Sequence, residues 1–249
     1  MPRPVVSFIM PVWEDNRMAA SLVKGFPLQP DSAEWIVAAV DPSEELVQLA
    51  RRGKMRLVRC AHPSRGAQMN AGAAVARGSL LCFHHADSEF RRKHLKALLE
   101  IAGNKDITGG AFHRHFDKRR PWMRRWEPLL RFLNSAAGPL LGDQSIFVKA
   151  WIFQKMGGFA DIPLMEDLEF SGRLRSLGKV VLLDPPLTSS GLRFNGMGSR
   201  HALVLNGLFA ALFYMGLNPA ILHHWYYRAR LKAPSRPRRK KSAKRKRLH

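Results

Sequence analysis

Asp87 and Glu89, two apart at the end of an apolar run, and Glu166-Asp167 much later in the chain are the residues best placed to do chemistry. The first pair closes Leu80-Leu81-Cys82-Phe83-His84-His85-Ala86-Asp87-Ser88-Glu89, the way a buried parallel strand ends when it delivers acidic ligands. Hard divalent cations such as Mg²⁺ or Mn²⁺ take oxygen ligands and keep several waters. Asp87 and Glu89 at one turn can reach such an ion, and the ion would neutralise a leaving diphosphate. An ordinary solvated turn has the same pattern. Alternation along the strand turns one of His84 and His85 inward, so both are not ligands. Glu166-Asp167 lies between the turn-forming Ile162-Pro163 and a helical stretch. Asp167 there either caps the helix or serves as a general base, taking the proton of an acceptor hydroxyl as its oxygen attacks.

Three further stretches carry phosphate- or pocket-forming residues. Arg65-Gly66-x-x-x-Asn70-x-Gly72 joins a cation to flexible turn residues at a helix start, suited to a phosphate, a base, or a plain loop entering a helix. Gly142-Asp143-Gln144 fits the floor of a sugar or acceptor pocket. Arg193, after Ser189-Ser190-Gly191, either steadies a diphosphate or faces solvent.

The elements that must position these groups alternate. Strands are expected over Val5–Met10 (ended by Pro11), Trp35–Val40, Met55–Cys60 and Ser79–His84. Helices are expected over Asn16–Phe26, after Asp41-Pro42-Ser43 through Leu49, over Ala67–Ala76 and over Phe90–Ile101. Such a series gives an α/β fold, a mostly parallel central sheet flanked by helices on both faces. Ligands in these sheets bind beyond the carboxyl ends of the strands. Pro11, Asp41, His62 and the 84–89 turn all fall there, which favours one cleft. After Gly109-Gly110 the pattern changes: strand-like Ala111–Phe116, a stretch at Asp117–Trp126 crowded with Arg, Lys and Trp, and a helix over Leu129–Ala137. Then follow a short strand at Ser145–Val148, a turn at Gly157-Gly158-Phe159, a helix over Leu168–Leu177 and a late strand at Val180–Leu183.

The bulk composition bounds the rest. The 249 residues are 46% apolar, enough for one large α/β domain. The division expected is a single domain over 1–227: a nucleotide-binding half (1–108), an acceptor-side half (109–200) and an apolar helical region (201–227). A basic tail follows over 228–249. The net charge is +22, and the pI is about 11.1. Much of the excess lies in Arg228–His249, which has no acidic residue and reads as disordered. The tail suits nucleic acid, an anionic membrane surface or plain solvation. Cys60 and Cys82 lack metal-like spacing and fit a reduced, cytoplasmic setting. Met-Pro-Arg-Pro runs straight into the first strand with no secretory core. Ala202–Leu222, broken by Asn206, Asn218 and Pro219, is a poor bilayer span. Its alternatives are a core helix, a homodimer helix, or a helix lying on the inner face of the membrane.

The ordered motifs resemble family-2 glycosyltransferases of the A-type fold, which handle nucleotide-diphospho-sugars. They are most similar to a small bacterial subgroup, the radical-SAM/selenodomain-associated transferases. The resemblance runs from about Val5 to Tyr227. It is carried by Ile9-Met10-Pro11-Val12-Trp13-Glu14, Arg65-Gly66-Ala67-Gln68-Met69-Asn70-Ala71-Gly72-Ala73, and Leu81-Cys82-Phe83-His84-His85-Ala86-Asp87. Further matches are Gly109-Gly110-Ala111-Phe112, Gly142-Asp143-Gln144-Ser145-Ile146-Phe147, Gly157-Gly158-Phe159 and Pro163-Leu164-Met165-Glu166-Asp167-Leu168-Glu169.

The resemblance implies an inverting, metal-assisted transfer from a UDP- or GDP-sugar to an acceptor hydroxyl, a lipid-linked acceptor being one that fits the tail. Pro11, Glu14 and Asp41 would line the nucleotide pocket, and Arg65 and Gln68 would approach the nucleotide. Asp87 would make the metal-diphosphate contact, and Asp167 would be the base of the Glu166-Asp167 motif. Three departures bear on this. Trp13 stands where the family has Asn, Pro42-Ser43 follows Asp41 in place of Gly-Gly-Ser, and Leu192-Arg193-Phe194 replaces Arg-Arg-Trp. They leave the donor open and keep a rival in view, a non-catalytic homologue that binds nucleic acid or anionic membrane by charge. No nucleic-acid motif accompanies that charge, so no specific nucleic acid is expected.

Overall fold

The computed structural model describes residues 3–114, 132, 135, 137–187 and 199–231. The chain divides into two compact units, Met1–Ser190 and Gly191–His249. The Asp117–Trp126 stretch, Arg193 with its neighbours, and the tail beyond Leu231 lie outside the described residues, as does most of Leu129–Ala137.

The first unit is built on a seven-stranded sheet. Its strands are β1 (Val6–Val12), β2 (Ala33–Ala39), β3 (Arg56–Arg59), β4 (Leu80–Phe83), β5 (Ile107–Arg114), β6 (Ile146–Lys149) and β7 (Lys179–Leu187). Their order is β3-β2-β1-β4-β6-β5-β7. β3, β2, β1 and β4 run parallel to one another. β6 is antiparallel to both β4 and β5, and β7 is parallel to β5. This is the mixed, mostly parallel sheet of the A-type glycosyltransferase fold.

The sequence explains the layout. β2 and β4 are buried on both faces, as continuous apolar runs in a covered parallel sheet must be. β3 sits at the edge and carries exposed Arg56 and Arg59, charges that discourage pairing with another chain. One polar residue enters β2 near its start, and it is matched. Glu34 accepts from Ser7 Oγ at 2.8 Å, from the Arg77 backbone N–H at 2.8 Å and from Arg77 Nε at 3.1 Å.

Helices α1 (Asn16–Gly25), α2 (Glu44–Arg51), α3 (Arg65–Ala74), α4 (Arg92–Ala102), α5 (Ala150–Lys155) and α6 (Glu166–Ser176) cover both faces. One core joins Phe8, Trp35, Leu46, Leu98 and Phe112, under α1, α2 and α4. The other joins Ile9, Ile36, Met69, Phe83, Phe153, Phe159 and Phe170, under α3, α5 and α6. Phe8 and Ile9 fall in different cores because neighbouring strand residues face opposite ways. α3 lies very close to the sheet at Gly72, where a Cβ would stand 2.5 Å from Ile9 Cγ2.

Several boundaries differ from the sequence expectation. β1 continues through Pro11 to Val12, because Pro11 pairs only with β2 once β4 has ended opposite Ile9. Gly109 and Gly110 do not mark a break but lie inside β5, opposite Val148 and Phe147 of β6. Arg65 and Gly66 belong to the first turn of α3, which Ser64 caps. Ser43, not Asp41, caps α2.

The second unit contains α7 (Ser199–Tyr214) and α8 (Pro219–Leu231). Tyr226 packs edge-on against Phe209 at 5.3 Å, and its hydroxyl donates to Asn206 Oδ1 at 3.1 Å.

Candidate active site

Asp167 occupies the first turn of α6, and the sheet-facing loop before β6 meets it there. The residue before that turn, Met165, has φ 68° and so starts the helix from a left-handed kink. Asp167 does not cap the helix in the usual way. One carboxylate oxygen, Oδ2, accepts from the Gly142 backbone N–H at 2.8 Å. The other, Oδ1, accepts from the N–H of its own neighbour Leu168 at 2.9 Å. Burial pushes its pKa upward, against the pull of the two amides and of Arg65. Arg65 approaches Glu166 at 3.6 Å, so both members of the acidic pair sit near one guanidinium.

Asp167, Glu166, Arg65, His85 and Gly142 line one cavity with Met69, Phe83, Ile146 and Phe159. Its volume is about 10 Å³, room for no more than a single water. Below it Phe159 stacks on Phe170 at 4.2 Å. His85 belongs to the turn that continues into Asp87, so the cavity joins the β4 end to the α6 start. A Cβ on Gly142 would lie 2.8 Å from His85 Nε2 and 3.5 Å from Asp167 Oδ2. Only glycine fits between these two side chains without moving one.

The loops around the cavity are tied to the helices. Asn70 of α3 bonds the Phe159 peptide in both directions, accepting from its N–H and donating to its carbonyl, each at 2.9 Å. Arg173 of α6 holds Glu169 and also donates to the carbonyls of Met156 at 2.7 Å and Gly158 at 2.8 Å. Asp143 is paired with Arg114 at the end of β5.

The two histidines part as strand alternation demands. His85 faces the cavity. His84 is fully buried beside Trp35 and Phe90. Its Nδ1 lies 2.6 Å from Ser145 Oγ and its Nε2 lies 3.2 Å from the Ser88 carbonyl. The carbonyl can only accept, which places the proton on Nε2 and makes the Ser145 hydroxyl the donor to Nδ1. Burial lowers the pKa of His84 to about 4. It is a neutral structural residue.

The remaining expected site residues lie at the carboxyl ends of the strands. Pro11 is at the end of β1, with exposed Glu14 just beyond, and exposed Asp41 follows β2 with φ 49°. Gln68 is 4% exposed. It donates both amide hydrogens to main-chain carbonyls, Val12 and Ala38, each at 2.8 Å. It braces the ends of β1 and β2, leaving only its own carbonyl for other contacts. Asp87 is buried in the turn after β4. Glu89 is exposed, ion-paired with Arg91 at 2.7 Å, and lines a separate open groove with Met18, Leu22, Phe26 and Phe90. Among the described residues no three His, Cys, Asp or Glu gather into a ready-made metal cage. The carboxylates of Asp87 and Glu89 are the donor type a hard cation takes, and two of them are too few for a closed structural site.

Sequence reasoning missed the partners of these groups. The Gly142 N–H, the Asn70 clamp and the Ser145–His84 bond all join segments distant in the chain. The glycines at 142 and 158 were the visible trace of two of them.

The glycosyl transferase family 2 profile matches residues 8–156. No curated protein matches the chain. Among solved structures, the mannosyltransferase PcManGT from Pyrobaculum calidifontis, determined with GDP-Man and Mn²⁺, is similar with a TM-score of 0.61 and 16% identity. That match covers 90% of this chain and 70% of that one. Residues 1–349 of S. aureus TarS, determined with UDP-GlcNAc, are similar with a TM-score of 0.57 and 15% identity, over 76% of this chain and 58% of that one.

Proposed function

The chain belongs to glycosyl transferase family 2, and from that premise we propose that it transfers a sugar, with inversion, from a nucleotide-sugar donor to an acceptor hydroxyl, using Asp167 as the base. The observation that carries this reading is the setting of Asp167. It is a half-buried carboxylate, aimed by two backbone amides, beside Arg65 and His85 on a cavity with room for no more than a single water. A carboxylate so placed keeps a fixed direction and a raised basicity, both of which suit proton removal.

In this reaction deprotonated Asp167 takes the proton of the acceptor hydroxyl as that oxygen bonds to the anomeric carbon. The bond from that carbon to the diphosphate oxygen breaks on the opposite face. Its electron pair leaves with the nucleoside diphosphate, and configuration at the carbon inverts. Arg65 restrains Glu166 and adds positive charge near the base. Pro11, Glu14, Asp41 and the α3 start form the nucleotide side, which Gln68 keeps in register. Asp87, with help from Glu89, would hold Mg²⁺ or Mn²⁺. When bound, the ion supplies positive charge against the departing diphosphate. The donor is a UDP- or GDP-sugar, the nucleotides of the two solved relatives' ligands. Membership of the radical-SAM/selenodomain-associated subgroup is part of this proposal, and the ordered motifs between Val5 and Tyr227 are what support it.

The test is a calorimetric screen of nucleoside diphosphates and nucleotide sugars with and without Mn²⁺. Donor hydrolysis or transfer to simple alcohols is then followed by the anomeric configuration of the product. Binding of one donor and formation of the inverted product support the reading. A retained configuration, or no response to any nucleotide, would overturn it.

A further inference from the structure

The second unit carries a row of large apolar side chains with no described cover. On α7, Val204, Leu208 and Ala211 recur at the spacing of one helix face, with Met215 in the turn just after it, and all are exposed, Val204 by 58% and Met215 by 68%. On α8, Ile221, Trp225 and Arg228 repeat that spacing, with Trp225 49% exposed and Tyr227 beside it 45% exposed. The aromatic residues that pair the two helices, Phe209 and Tyr226, point elsewhere, toward each other. From Arg228 onward the sequence holds twelve Lys or Arg and no acidic residue.

We infer that α7 and α8, with the basic segment that follows, dock this protein on an anionic lipid surface. Each part of the surface answers one layer of a bilayer interface. The α7 and α8 stripes suit the acyl boundary. Trp225, Tyr227 and Tyr214 suit the headgroup level, where amphipathic rings concentrate. The Lys/Arg run meets anionic headgroups, each cation adding to the attraction. Among the described residues no helix is long and apolar enough to cross a membrane. The sixteen residues of α7 span only about 24 Å, against roughly 30 Å of hydrocarbon. The segment therefore lies on the surface. Nucleic acid would match the basic run but leaves the apolar stripes unexplained, and a second copy of the chain would match the stripes but leaves the basic run unexplained.

The test is co-sedimentation of the full-length protein with vesicles of phosphatidylglycerol and phosphatidylcholine, and with phosphatidylcholine alone. Binding is expected on the mixed vesicles only. Leu208→Glu with Trp225→Glu should reduce it by about tenfold or more, and removal of residues 232–249 should do the same. Both sites are exposed, so circular dichroism should be unchanged. As a second measure, lipids brominated in the acyl chain should quench tryptophan fluorescence in the native protein, and much less in Trp225→Phe. Several results overturn the inference. One is undiminished binding by the double Glu variant. Another is equal quenching with and without Trp225. A third is loss of a dimer in the double variant with vesicle binding unaffected. A fourth is salt-sensitive binding to DNA with none to the mixed vesicles.

Discussion

Gly142 holds Asp167 from 25 residues upstream, its backbone N–H 2.8 Å from the carboxylate Oδ2. The loop before β6 therefore aims a side chain on α6. His85 closes the other side of the same glycine. Replacing Gly142 with Ala puts a methyl group 2.8 Å from the far end of the His85 ring. The ring can turn away, so the fold should survive with little change in melting temperature. The carboxylate should lose its fixed direction, and turnover should fall by about tenfold to a hundredfold. Donor affinity measured by calorimetry should stay within about twofold, because Arg65 is the one residue proposed for the nucleotide that lines this cavity, and the methyl group is aimed at His85. A loss of donor affinity equal to the loss of turnover would contradict this.

Asp167 must be ionised to take a proton, and burial raises its pKa above the ordinary carboxylate range. Activity should therefore rise with pH along a limb displaced upward from that of a solvated Asp. Asp167→Asn should remove about two to four orders of magnitude of turnover and abolish the limb, while donor binding persists. A pH–rate profile of both proteins decides the matter. A limb that survives in the Asn variant assigns the proton transfer to another group.

His84 gives the fold its own pH dependence. Its folded pKa is about 4, below the usual 6.5, because burial disfavours the cation. As pH falls below 6.5 the unfolded chain takes up a proton that the folded chain refuses until about pH 4. Stability contributed by neutral His84 is thus present above 6.5 and is lost progressively between 6.5 and 4, by about 3 kcal/mol at most. His94, also lowered by burial, adds in the same direction. Urea unfolding across this range should show the decline, and His84→Gln should flatten part of it.

Much of the fold was legible because its elements obey simple periodicities. The fully apolar runs at 35–39 and 80–83 require a covered parallel sheet. The helical spacing of Met18, Leu22 and Phe26 requires a helix against it. The acidic pair at 166–167 was visible by residue type. What holds it was not, since the Gly142 amide looks like any other amide in a sequence. Gln68 shows the opposite case. Its place in a strong motif pointed to the nucleotide, yet its hydrogens are taken by Val12 and Ala38. A side chain's type does not reveal which main-chain carbonyls the folded strands will bring within its reach. The split of His84 from His85 was legible as alternation, though not which of them faced the cavity.

Asn70 offers a test of the loop that frames the cavity. It supplies two hydrogen bonds to the Phe159 peptide, and no other described residue bonds that peptide. Asn70→Ala leaves both groups unpaired in a half-buried site, a loss of about 2 kcal/mol. Asn70→Asp keeps the acceptor for the Phe159 N–H but turns a second oxygen on the Phe159 carbonyl, so it should recover less than half. Denaturant midpoints of the two variants check this order.

The metal proposal divides its two carboxylates unequally. Asp87 is buried in the turn shared with His85, whereas Glu89 is exposed and already paired with Arg91. An exposed pair is worth at most about 1 kcal/mol, so a cation can recruit Glu89 but gains little from it. Asp87→Asn should therefore weaken Mn²⁺-supported binding of a nucleoside diphosphate by about a hundredfold, and Glu89→Gln by only a few-fold. Repeating the titrations in a chelator separates ligand loss from unfolding. Without the ion the native protein and Asp87→Asn should bind the nucleotide about equally, since the difference between them is the cation's. If Glu89→Gln proves the more damaging change, the Arg91 pair must open on binding and the ion must sit on the side of the turn that faces Phe90. That outcome would move the diphosphate away from Asp167 and break the single cleft on which the transfer depends.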